Sequence, residues 1–169
     1  NANDIKAAID DVTSAQPERI PIDVVFEDEH LIVVNKPAGL VVHPGAGNTS
    51  GTLMNALLDY DEDLKAVPRA GIIHRLDKNT SGLLIIARNI ESQFKLVKDL
   101  ESRIIKRVYA AIVYGTPPYR AGEVDLALGR HPKERKKVAV RVDGKSARTH
   151  YIVAEKFEGH SLLACELDT

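Results

Sequence analysis

From Ile73 to Leu84 the chain reads Ile73-His74-Arg75-Leu76-Asp77-Lys78-Asn79-Thr80-Ser81-Gly82-Leu83-Leu84. One carboxylate, Asp77, stands between two cations, Arg75 and Lys78, in a polar turn. Nearby positive charge favours an ionised carboxylate, and an ionised, positioned carboxylate is a base or a nucleophile. The same residue types also organise ordinary turns, because Asp, Asn, Thr and Ser side chains bond neighbouring backbone N–H groups. Spacing alone leaves both roles open. Whichever applies, the turn needs supports on either side. The short apolar Ala70–Ile73 precedes it and Leu83–Ala87 follows, so the segment reads as element, turn, strand.

Further supports follow from patterning. Val24–Phe26 and Leu31–Val34 flank an acidic turn at Glu27–Glu29 and predict a hairpin. Pro37 and Gly39 break it, and Leu40–Val42 resumes an extended course before Pro44-Gly45. Thr49 or Ser50 is positioned to cap a short helix that buries Leu53, Met54, Leu57 and Leu58. The acidic run Asp59–Asp63 and Pro68 read as loop, a solvated one rather than a cation site. A second helix is expected from Glu91 to Arg103, burying Phe94, Val97, Leu100 and Ile104. Val108–Tyr114, Lys137–Val142, Thr149–Phe157 and Ser161–Leu167 read as strands. No internal repeat and no regular strand–helix alternation is present, which disfavours a doubly wound parallel sheet. The fold class expected is α+β, a largely antiparallel sheet flanked by short helices and loops.

The length of 169 residues suits one ordinary domain, and 44% hydrophobic residues argue against pervasive disorder. The polar, acidic residues 1–20 read as a linker or tail, with the main domain over 21–169. No apolar run approaches the roughly 18 residues that cross a bilayer, and no leader is recognisable at Asn1–Asp4, so the expected location is the cytoplasm. The single cysteine, Cys165, reads as a small buried strand residue. Neither a phosphate-cradling Gly-Lys loop nor a cluster of metal ligands is present in the sequence, so no cofactor and no metal is expected. The formal net charge of −1 hides a polarity. Residues 1–30 carry eight acids against Lys6 and Arg19. Residues 130–148 carry eight bases against Glu134 and Asp143. Such a local cationic patch fits phosphate contacts or, equally, a solvated surface hairpin.

His74-Arg75-Leu76-Asp77 with Thr80-Ser81-Gly82-Leu83-Leu84 resembles the catalytic motif of RNA pseudouridine synthases, most closely the branch acting on bacterial large-subunit ribosomal RNA. Three further blocks are similar to that family in the same order. They are Asn35–Gly45, Lys106–Ala111 and Gly129–Lys133 with the basic residues after it. The resemblance implies the family's α+β catalytic fold and isomerisation of uridine to pseudouridine, without redox cofactor or ATP. It implies Asp77 as the catalytic residue. Arg75 would fill the space left by a flipped base or hold its phosphates, and Tyr109 would stack on uracil and assist proton exchange at C5. Arg130, Lys133, Arg135, Lys136 and Lys137 would contact RNA, while Lys36, His43 and His74 would support the motif. The partner implied is RNA, most simply a ribosomal stem-loop, because an unpaired base costs less to flip. The family carries a further arginine-bearing motif that would begin where the chain reaches Leu167–Thr169, so the catalytic domain is expected to be incomplete. A non-catalytic RNA-binding module is the alternative, and an aspartate-dependent hydrolase is weaker because no second carboxylate sits at a partnered position.

Overall fold

The computed structural model describes residues 15–45, 47–134 and 137–168. The chain divides into two compact units, Asn1–Glu101 and Ser102–Thr169. Each unit builds its sheets from strands contiguous in sequence.

The first unit holds a three-stranded antiparallel sheet, β1 (Asp23–Glu27), β2 (Leu31–Lys36) and β3 (Gly82–Ala87), in that order. The expected hairpin is therefore present, with Asp28 Oδ1 accepting the N–H groups of His30 and Leu31 at 2.8 Å each to close its turn. Alternation in β2 buries Ile32, Val34 and Lys36 on one face, where they stand opposite Ile86, Leu84 and Gly82 of β3. Helix α1 (Leu53–Tyr60) adds Leu53, Met54, Leu57 and Leu58 to this core, as the sequence pattern predicts. Its cap is Thr52, not Thr49 or Ser50, in a reciprocal pairing with Asn55. Between Leu40 and Val42 there is no strand. Only Val41 bridges Thr52, and the N–H groups of Leu53 and Met54 bond the carbonyls of Val41 and Val42. Two 3₁₀ turns, Glu62–Ala66 and Pro68–Gly71, fold the stretch expected to be loop. Of the expected tail, residues 1–14 lie outside the described residues. Gln16 and Glu18 are hydrogen-bonded to Asn55 and Gly51.

The second helix, α2 (Ile90–Glu101), starts from an Asn89 cap and ends shortly before Arg103 enters the left-handed region at φ 61°. It buries no residue, and Phe94 and Ile104 are largely exposed, against the expectation from periodicity. Apolar spacing marks a face but does not supply the surface that must cover it.

The second unit is a four-stranded antiparallel sheet in the order β4-β9-β8-β5, formed by β4 (Val108–Tyr114), β5 (Ala121–Asp125), β8 (Arg148–Phe157) and β9 (His160–Leu167). A separate hairpin pairs β6 (Leu128–Arg130) with β7 (Val138–Val140). Strands β5 and β6 were not expected, being short and interrupted by glycine and charge. Cys165 lies on β9 and is only half-buried rather than fully enclosed. The whole is α+β and mainly antiparallel, as expected. No helix among the described residues is long and apolar enough to cross a membrane.

Candidate active site

The Asp77 turn is built from beneath. Lys36 takes the third inward position of β2, where strand alternation leaves it no route to solvent, and its side chain is fully buried. Its ammonium donates to the carbonyls of Pro37 (2.9 Å), Leu40 (2.9 Å) and Lys78 (3.1 Å), which matches its three N–H groups. Burial pushes the Lys36 pKa down from the usual lysine value, and the charge of Asp77 opposes that shift. The turn carrying Asp77 is thus tied to the segment 37–40 by one buried cation. A second tie is the N–H of Gly39, which donates to the carbonyl of Lys78 at 2.7 Å. Gly82, opposite Lys36 in the register, has φ 132°, and a Cβ there would meet only Leu76 Cδ1, at 3.8 Å.

From the other side, the N–H of Ile85 donates to Nε2 of His74 at 3.1 Å. That ring nitrogen must carry its lone pair, so His74 holds the turn to β3 as a hydrogen-bond acceptor. Leu76 is buried, and the N–H of Thr80 closes the turn on the carbonyl of Asp77 at 3.0 Å. Between these anchors Asp77, Arg75 and Lys78 are exposed. The expected bracketing of Asp77 by two cations is not an ion-pair triad. Neither Arg75 nor Lys78 forms an ion pair among the described residues, because successive side chains of a tight turn diverge. The charge of Asp77 acts instead on the buried Lys36. His43 is half-buried and directly follows the buried Val42, three residues beyond the segment 37–40 that Lys36 secures.

A strained approach leads into the turn. Arg69 (φ 55°, ψ 32°) and Ala70 (φ 50°, ψ 40°) are left-handed, and Gly71 follows at φ 74°. A Cβ on Gly71 would lie 1.9 Å from the carbonyl oxygen of Ala87. The chain passes β3 at a distance only glycine allows, and Ile72 then bridges Ile86. Sequence reading missed this feature, although the glycine after Arg69-Ala70 was its one visible sign.

The second unit carries the other expected residues. Tyr109 is half-buried on β4, directly opposite Cys165 of β9. Lys106, just before the strand, pairs with Glu166 at 2.9 Å. Burial raises the Cys165 thiol above its ordinary pKa. In the β6–β7 hairpin, Arg130 ends β6, and Nδ1 of His131 accepts the N–H groups of Lys133 (3.2 Å) and Glu134 (3.0 Å). Lys137 pairs with Glu134 at 2.6 Å, Arg141 grips Asp143 through two bonds of 2.7 Å, and Arg148 pairs with Asp125. Arg135 and Lys136 lie outside the described residues. Among the described residues no group of three or more His, Cys, Asp or Glu side chains is placed to hold a metal ion.

The arrangement presents one carboxylate to solvent on a turn fastened from two sides, chemistry suited to attack or proton removal on a substrate brought to it. Solved structures share the fold. The human RNA Pseudouridylate Synthase Domain Containing 1 superposes with a TM-score of 0.69 at 20% identity, over 90% of this chain and 61% of that one. Among curated proteins, the ribosomal large subunit pseudouridine synthase D of Nitrosomonas europaea is 55% identical over 156 residues, 92% of this chain and 45% of that protein. Proteins of the same name from Xanthomonas campestris and Escherichia coli are 49% and 47% identical over 165 residues, 98% of this chain and 50% of each. The chain therefore spans about half the length of the curated relatives it matches. The family model for RNA pseudouridylate synthase matches residues 30–169, a span containing the Asp77 turn, its buried lysine and the basic hairpin, and the chain belongs to that family.

Proposed function

We propose that this chain carries the catalytic machinery of an RNA pseudouridine synthase acting on large-subunit ribosomal RNA in the cytoplasm. The observation that carries the reading is the exposed Asp77 carboxylate on a turn secured by Lys36 and His74. The reaction breaks the bond between ribose C1′ and uracil N1, turns the base, and joins C1′ to C5. The proton leaves C5 and N1 regains one, so nothing is oxidised or consumed. Asp77 assists the first cleavage, as a nucleophile or by removing a ribose proton. Such chemistry requires the uridine to be flipped from its stack, at a cost of a few kcal/mol. Arg75, exposed two residues before Asp77, occupies the vacated space or holds the adjacent phosphates. Tyr109 stacks on the flipped uracil, and the β6–β7 hairpin, with Arg130, Lys133, Arg135, Lys136 and Lys137, follows the RNA backbone of a stem-loop. The relatives named ribosomal large subunit pseudouridine synthase D support that substrate.

Asp77→Asn in the full chain is the direct test. Tritium release from C5-labelled large-subunit ribosomal RNA transcript should fall by at least a thousandfold, about 4 kcal/mol of lost transition-state stabilisation. Transcript affinity should stay within a few-fold, because binding rests on cations and stacking. Substantial turnover by the Asn variant would remove Asp77 from the chemistry. An unmodified transcript bound tightly by the parent protein would instead favour the non-catalytic RNA-binding module.

A further inference from the structure

Arg69 stands where its residue type makes no local sense. Its backbone is left-handed (φ 55°, ψ 32°), a region that residues other than Gly, Asn and Asp enter at a cost. Buried residues in strained positions can recover that cost by packing, as Ala70 does, with its side chain wholly enclosed. The Arg69 side chain is exposed and recovers nothing this way. Glycine would adopt the same turn without strain. The turn itself is over-determined by Pro68 before it and Gly71 against Ala87 after it, so the strain is held in place.

The charge of Arg69 is also uncompensated. From Leu64 to Ile90 the chain contains five cations and one carboxylate, Asp77. Two of those cations are spoken for, Lys65 by Glu62 at 3.1 Å and Arg88 by Asp61 at 2.8 Å. Arg69, Arg75 and Lys78 have no ion-pair partner among the described residues. Three open cations thus accompany the single carboxylate, and Asp77 lies eight positions beyond Arg69. That length of chain spans at most about 26–29 Å, the reach of a few nucleotides of RNA backbone.

We propose that Arg69 is a phosphate-binding residue, displayed by the left-handed turn Arg69–Gly71 to grip the RNA backbone a few nucleotides from the uridine at Asp77. The inference rests on the RNA-isomerase reading above and adds a contact that Arg75 and the basic hairpin do not provide. A guanidinium suits this role because it stays charged and meets phosphate oxygens in a two-pronged fashion.

The test uses Arg69→Gly, Arg69→Asn and Arg69→Lys in the full chain, with the in vitro transcript of large-subunit ribosomal RNA as probe. Gly and Asn tolerate the left-handed region, so both variants should melt at or above the parent's temperature. Both should bind the transcript roughly three- to tenfold more weakly at moderate salt, with a slope of log affinity against log salt shallower by about 0.7–0.9, one phosphate contact. Arg69→Lys should recover most of the slope and part of the affinity. Unchanged affinity and slope in the Gly and Asn variants would overturn the proposal. So would weaker binding accompanied by a lower melting temperature in both, since Arg69 would then be holding the turn and not the RNA. Either failure leaves the isomerase reading intact if the parent releases tritium and Asp77→Asn does not. Loss of that contrast would sink the isomerase reading whatever Arg69 does.

Discussion

Lys36 shows how one residue can serve both the core and the site. The alternation of Leu31-Ile32-Val33-Val34-Asn35-Lys36 sends an ammonium into a position that Ile32 and Val34 mark as apolar. An unpaired buried charge would be intolerable there, but three carbonyls, two from segment 37–40 and one from Lys78, complete its shell. The carbonyls of Pro37 and Leu40 would otherwise be left without donors where the chain has no strand to pair them, while that of Lys78 also accepts the Gly39 N–H. Lys36→Met, similar in length and apolar, should therefore destabilise the protein by about 2–4 kcal/mol, since it leaves acceptors unmet in a buried setting. Urea denaturation with an unchanged m-value would measure the loss. The same variant should slow isomerisation beyond its effect on the folded fraction, because it removes one of the bonds on the Lys78 carbonyl that hold the Asp77 turn, leaving only the Gly39 N–H there. Full activity of the folded Lys36→Met protein would show that the turn holds its shape unaided.

At the scale of elements, the approach to the site depends on backbone handedness more than on any side chain. Arg69–Gly71 makes a left-handed excursion, and the carbonyl of Ala87 occupies the space a Cβ on Gly71 would need. Gly71→Ala carries two penalties, a left-handed alanine and a collision with backbone that belongs to β3 and cannot swing aside. We expect a loss of about 2–4 kcal/mol, with thermal melting as the measure. Faster amide exchange at Ile72 and Ile86, whose bridge lies next to the collision, would locate the damage. A Gly71→Ala protein as stable as the parent would mean the segment can move away from β3 at little cost. Helix α2 gives the contrasting case, an element with a clear apolar spacing whose Phe94 nevertheless faces solvent.

For the molecule as a whole, the formal charge of −1 averages over opposed regions, and the structure refines which cations remain open. Within 130–148, Lys137, Arg141 and Arg148 have carboxylate partners, whereas Lys133 and Lys145 have none among the described residues. Neutralising Lys133, Arg135, Lys136 and Lys137 together should flatten the salt dependence of RNA binding by about 2–3 in slope, short of the value for four free cations, because Glu134 already offsets Lys137. Restoring Lys137 alone should recover the least of the four. An unchanged slope would place the hairpin off the path of the RNA.

Local patterning in the sequence was enough to determine strands β2, β4, β8 and β9 nearly to their ends, the buried face of α1, the polar turn at Asp77 and the family to which its motifs belong. Those features depend on period-two or helical alternation and on residue types within a few positions, information that a short window contains. Tertiary structure decided the rest. The three partners of Lys36 join residues 36 and 78 across a loop closure that no local pattern records. The left-handed turn follows from the proximity of Gly71 to Ala87. The exposure of α2, the ion pairs that neutralise part of the basic hairpin and the division into two units likewise depend on which surfaces meet. Alternation states which way a side chain faces, whereas only the folded chain determines what it finds there.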